Sequence, residues 1–98
     1  MALKIKWTKR ASKTFHNTVE FIEEKWSERS AKKFVIKINC FLILLKNQPE
    51  MGKIEVDDKG IRGFVISRQT TVFYRIKKDT IILLKFFDNR QNPKKMLK

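Results

Sequence analysis

The chain has little of what most active sites are made from: one cysteine, one histidine, one tyrosine, two prolines and three glycines in 98 residues. A single cysteine excludes an intramolecular disulfide, which suits a reducing cytoplasm. Cys40 stands beside Phe41 and Leu42, a setting that predicts a buried small hydrophobe rather than a reactive thiol. One cysteine and one histidine cannot supply a zinc site, so no metal is expected. The three glycines form no phosphate-binding loop of the Walker or dinucleotide type, and no small-molecule cofactor is implied. His16 has no identifiable acid or nucleophile partner and reads as an ordinary surface histidine. The longest apolar run, Phe41 to Leu45, is far too short to cross a bilayer, and the start MALKIKWTKRA lacks the apolar core of a signal peptide. The expectation is a soluble cytoplasmic protein with no membrane contact.

Acidic residues are scarce too. Against 10 Asp plus Glu stand 23 Lys plus Arg, a formal net charge of +13. Such a field favours polyanions, whether nucleic acid, a ribosomal surface or an acidic protein, and it costs the fold self-repulsion. With 42% hydrophobic residues, the chain has core enough for one small domain spanning residues 1–98.

Leu3 to Trp7 alternates apolar and charged residues, the period of a half-buried strand. Thr8 can cap the following helix, in which Ala11, Phe15, Val19, Ile22 and Trp26 form one apolar stripe. Ser27 can cap a second helix running to about Lys46, with Ala31, Phe34, Val35, Ile38, Phe41, Leu42 and Leu45 as its stripe. Helices joined so tightly form an antiparallel hairpin. Ile36, Cys40, Ile43 and Leu44 widen the second stripe. That width predicts burial between the first helix and a sheet, the alternative being an exposed band awaiting a partner. Pro49 ends the helix, and Gly52 and Asp57 to Gly60 punctuate a loop with room for a short strand. Strands follow at Ile61 to Ser67, Gln69 to Ile76 and Thr80 to Asp88, joined as an antiparallel meander. The predicted fold is therefore α+β, with an antiparallel sheet of about four strands against an N-terminal helical hairpin in the order β-α-α-β-β-β. Strict alternation in the last strand would put Ile82, Leu84 and Phe86 on one face and Ile81, Leu83 and Phe87 on the other. Two helices cannot cover both faces, so the second needs loops, the tail or another chain.

The remaining candidates are basic and aromatic. Lys53, Arg62, Arg68, Arg75, Lys85, Arg90, Lys94 and Lys95 form a set suited to binding a nucleic acid or another anionic target. Arginine forks suit phosphates and can stabilise a phosphoryl transition state without a histidine. Tyr74 could stack on a base or donate a proton, although Val72 and Ile76 share its face and core packing is the plainer reading.

Several of these residues fall in an ordered series. Trp7-Thr8 ends the first strand, Ala11 and Phe15 open the first helix, and Ala31-x-x-Phe34 lies in the second. Pro49-x-x-Gly52, Gly60-Ile61-Arg62, Phe73-Tyr74-Arg75-Ile76, Ile81 to Leu84 and Arg90 follow. Over about residues 3 to 93 the chain resembles the RelE/ParE superfamily, the toxin half of bacterial type II toxin–antitoxin pairs. The resemblance implies a compact fold with the first strand beside the last, and an acidic cognate antitoxin wrapped over the toxin. It also implies one of two targets: messenger RNA cleaved on the ribosome, as in RelE-like members, or DNA gyrase, as in ParE-like members. Arg62, Tyr74 and Arg90 become its candidate catalytic residues if the chain is a nuclease. Thr71 stands where the RelE-like pattern has an arginine and Phe87-Asp88 where many members carry a histidine, so the ParE-type profile fits better. A non-catalytic basic module that binds RNA or a protein is the alternative from another class.

Overall fold

The computed structural model describes residues 3–56 and 58–89. Strand β1 (Lys4–Trp7) leads through Thr8 into helix α1 (Lys9–Lys25), and helix α2 (Glu28–Asn47) follows after a tight turn. Strands β2 (Lys53–Val56), β3 (Ile61–Ser67), β4 (Thr70–Lys77) and β5 (Thr80–Asp88) complete the domain. Both expected caps are present: the Thr8 hydroxyl accepts from the Ala11 N–H, and the Ser27 hydroxyl from the Ser30 N–H, each at 3.0 Å.

The sheet has five strands rather than about four, in the order β1-β5-β4-β3-β2. The short strand allowed for in the loop is real and forms one edge. β1 pairs with β5 in parallel, so the sheet is mixed, while the other pairings are antiparallel. The first strand does lie beside the last.

Both helices pack on one face. Ala11 and Ile22 of α1, Phe34, Ile38, Phe41 and Leu45 of α2, and Val72, Tyr74, Ile81, Leu83 and Phe86 of the sheet form one buried cluster. Phe41 stacks on Phe64 with ring centroids 4.8 Å apart, and Phe15 lies 5.2 Å from Phe86, which ties each helix to the sheet.

The strict alternation expected of β5 fails at a bulge. Phe73 pairs with Lys85 but Tyr74 pairs with Leu83, leaving Leu84 as an extra residue on β5. The parity therefore switches, and Ile81, Leu83 and Phe86 all face the helices while Lys85 and Phe87 face away. The bulge falls where β1 stops and α1 begins. There Thr8 donates its hydroxyl to Leu83 O at 2.8 Å, and the Thr14 hydroxyl accepts the Phe86 N–H at 2.9 Å. The first turns of α1 thus take over the hydrogen bonding of the β5 edge from a strand that has ended.

Three expectations about the helices are corrected. Cys40 is exposed rather than buried. Ile36, Ile43 and Leu44 are likewise exposed, at 61%, 63% and 54%, because α2 lies on the outside of the domain and meets α1 and the sheet through its other side. The widened stripe is therefore the uncovered band, not a second buried face. Trp26 is the C-cap of α1 and 53% exposed, so that stripe ends at Ile22.

Candidate functional site

The predicted site residues fall into two groups on opposite faces of the sheet. The first group surrounds the loop between α2 and β2. Tyr74 is completely buried, its hydroxyl donating to Pro49 O at 2.8 Å and accepting the Gly52 N–H at 2.9 Å. Burial pushes the phenol above its ordinary range, while the Gly52 N–H and the Arg62 charge pull the other way. Arg62 pairs with Tyr74 across β3 and β4 and shares its face. It donates through Nη1 to Gly52 O at 2.8 Å and to Glu50 O at 3.2 Å. Arg62 and Tyr74 are thus brought together, and both hold residues 49–52 in place. Gly52 is required there, because a side chain would run into the Tyr74 hydroxyl.

The second group lies on the face turned away from the helices. A groove of about 450 Å3 is lined by Met51, Lys53, Glu55, Gly63, Phe64, Val65, Thr71 and Asn89. Gly63 pairs with both Lys53 and Phe73, and a Cβ on it would sit 3.0 Å from the Phe73 ring and 3.2 Å from Glu55 Cγ. The missing side chain keeps the groove floor open. Thr71 donates its hydroxyl to Asn89 Oδ1 at 2.6 Å, and Asn89 Nδ2 donates to Arg68 O at 3.3 Å. The β3–β4 turn, which carries Arg68, is thereby fixed to the end of β5.

Lys85 continues the row from Lys53 through Gly63 and Phe73. It is only 6% exposed, with Nζ 5.6 Å from the Phe73 ring centroid and 5.3 Å from that of Phe87. Burial, and secondarily the Arg10 charge, hold its ammonium below the ordinary lysine range. Arg75 is half-buried one register step further along this face. Of the expected residues, Lys53 enters the groove and Arg68 is tied to its rim, while Lys85 and Arg75 share the face but lie outside the groove. Arg62 and Tyr74 do not line it. Arg90, Lys94 and Lys95 lie outside the described residues.

Sequence reasoning missed Glu55, Gly63 and Asn89 as groove residues. A glycine inside a strand signals close approach of a neighbour and could have flagged Gly63. Glu55 and Asn89 carry no such signal. His16 is the surface residue expected, 2.8 Å from Glu20 on the exposed side of α1. Among the described residues there is no cluster of metal-binding side chains, and no helix is long and apolar enough to cross a membrane.

A helical hairpin on one face of a small mixed sheet, with a groove holding one lysine and one glutamate on the other, describes a compact α+β domain. The sequence model described as the ParE toxin of type II toxin–antitoxin system, parDE, matches residues 5–93, and the chain belongs to that family. It is a toxin-type protein of the ParE/RelE superfamily. Among solved structures it is similar to the chromosomal ParDE toxin–antitoxin system from P. aeruginosa, with a TM-score of 0.74 and 21% identity over 89% of this chain and 96% of the other. The RelBE2 toxin–antitoxin complex from Mycobacterium tuberculosis gives 0.61 and 18% over 91% and 100%. The DinJ–YafQ toxin–antitoxin complex from E. coli gives 0.62 and 12% over 92% and 96%. These likenesses are of fold. No curated protein matches the sequence.

Proposed function

We propose that this toxin arrests growth by inhibiting DNA gyrase, and that an acidic antitoxin holds it inactive. The observation that carries the first part is that, among the described residues, the groove is lined by one carboxylate, Glu55, and by no histidine, tyrosine or cysteine. The Tyr74 hydroxyl is completely buried and engaged by two backbone groups. The Thr71 hydroxyl is committed to Asn89, and His16 is held by Glu20 on α1. Apart from Glu55, what the groove offers is the Lys53 charge and an open shape, the means of gripping a protein target. Induction in growing cells tests this. Gyrase inhibition predicts DNA breaks, the damage response and filamentation while translation at first continues.

Ribosome-dependent cleavage of messenger RNA is the second reading, and Lys53 with Glu55 in one groove favours it. An ammonium could hold a phosphate while the carboxylate takes a proton, with the ribosome positioning the substrate. That reading predicts arrest of protein synthesis within the first minutes and transcripts cut within reading frames. A non-catalytic RNA- or protein-binding module would be tolerated on expression.

The antitoxin is argued from α2. Ile36, Ile43 and Leu44 make an exposed apolar stripe, and Lys32, Lys33, Lys37 and Lys46 flank it. An amphipathic segment with an apolar ridge and acidic margins complements that surface. A short acidic protein encoded beside this one would support the pair.

A further inference from the structure

Four cations gather on the sheet at the end away from the groove. β1 pairs with β5 so that Lys4 lies opposite Thr80 and Lys6 opposite Ile82. β4 continues the same rows, with Lys77 opposite Thr80 and Arg75 opposite Ile82. Residues paired across a ladder share a face, and this is the face turned from the helices, because Ile5 and Ile81 of the intervening row pack into the helix-side core. Lys4 and Lys6, like Lys77 and Arg75, are two residues apart, which separates the rows by about 6.7 Å. Lys4, Lys6 and Lys77 are exposed and Arg75 is half-buried.

Arg75 has a further peculiarity. Its Nε is buried and has no hydrogen-bond partner. That donor is too deeply buried for a docked anion to reach directly, so it leaves the guanidinium short of acceptors without itself being part of the surface. The nearest acid in sequence, Asp79, lies in the β4–β5 turn, where its carboxylate accepts the Thr80 hydroxyl at 3.1 Å and its carbonyl the Lys4 N–H at 2.9 Å.

We propose that Lys4, Lys6, Arg75 and Lys77 form a docking surface for the phosphate backbone of nucleic acid. This surface is separate from the groove and goes beyond the gyrase reading. Two rows of cations at strand spacing track successive phosphates and read no bases. An acidic protein fits less well, because a protein partner needs an apolar anchor. None of the large exposed apolar side chains among the described residues belongs to this set of rows: Ile36, Ile43 and Leu44 are on α2, Trp26 caps α1, Trp7 stacks on Phe86, and Ile54 and Val65 lie toward the β2 edge.

Fluorescence anisotropy with the full chain and labelled strands of about 12 nucleotides tests this, using single-stranded RNA, single-stranded DNA and duplex DNA across a salt series. Neutralising Lys4, Lys6 and Lys77 together to Gln should lower the slope of log affinity against log salt by about 2 to 3, at roughly 0.7 to 0.9 per phosphate contact. Neutralising Lys32, Lys33 and Lys37 on α2 should leave the slope unchanged. Arg75→Lys should weaken binding while keeping the slope, since the charge remains and the fork is lost. The three nucleic acids show which form the surface takes. Equal loss of slope in both triple variants would overturn the proposal, as would no binding of any strand by a protein that circular dichroism shows to be folded. Binding of a polyglutamate probe, but of no strand, to these residues would assign the surface to an acidic protein and equally overturn it.

Discussion

The hydroxyl of Tyr74 accepts the Gly52 N–H at 2.9 Å, and Gly52 can come that close only because it lacks a side chain. The pair fixes the loop that delivers Lys53 and Glu55 to the groove. Tyr74→Phe removes a donor from Pro49 O and an acceptor from Gly52 N–H, and should destabilise the fold by about 1–3 kcal/mol. Gly52→Ala should cost more, because the new methyl meets the hydroxyl itself. Urea denaturation of both variants checks the order.

Tyr74 is the only tyrosine, so its ionisation can be followed by ultraviolet absorbance without interference. Its folded pKa is raised, chiefly by burial, so the folded state holds the proton more tightly than the unfolded chain does. The resulting stability is fully present below the unfolded value of about 10 and is lost as pH rises through the folded value. Tyrosinate absorbance should therefore appear above pH 10 together with loss of structure. Tyr74→Phe should remove this component of alkaline unfolding. An ordinary titration near 10 in a folded protein would contradict the burial.

The bulge on β5 makes neighbouring leucines unequal. Leu83 is completely buried, whereas Leu84 is the extra residue and only half-buried. Leu83→Ala should cost about 2–5 kcal/mol, and Leu84→Ala clearly less. Thermal melts followed by circular dichroism distinguish them, and equal costs would contradict this difference in burial.

Much of this fold was legible in the sequence. Thr8 and Ser27 announced both helix starts, and the last three strands follow from their apolar runs and turn residues. The bulge was not, because a continuous apolar run such as Ile81 to Leu84 hides a change of parity. Cys40, Ile36, Ile43 and Leu44 misled for a related reason: an apolar stripe looks the same whether it faces a core or a partner. Of the site, the basic set was visible as residue types, but its division between two faces was not. Arg62 and Tyr74 are directed to one loop by cross-strand pairing, and a single strand carries no record of its partner's register.

The α2 stripe yields a prediction that separates binding from folding. Ile43→Glu places a charge on an exposed position, and should change stability by no more than about 0.5 kcal/mol. It should nevertheless weaken capture of the acidic antitoxin on co-expression and restore toxicity. Unchanged neutralisation would mean that the antitoxin docks elsewhere.

The central claim is that the groove grips gyrase and performs no chemistry on RNA. Supercoiling by purified gyrase, measured with this toxin and its Lys53→Ala and Glu55→Gln variants, tests it most directly. The account predicts inhibition by the wild-type chain, loss of inhibition with Lys53→Ala, and inhibition retained with Glu55→Gln, since no proton need move. Unimpaired supercoiling, together with in-frame transcript cleavage that disappears in Glu55→Gln, would contradict it.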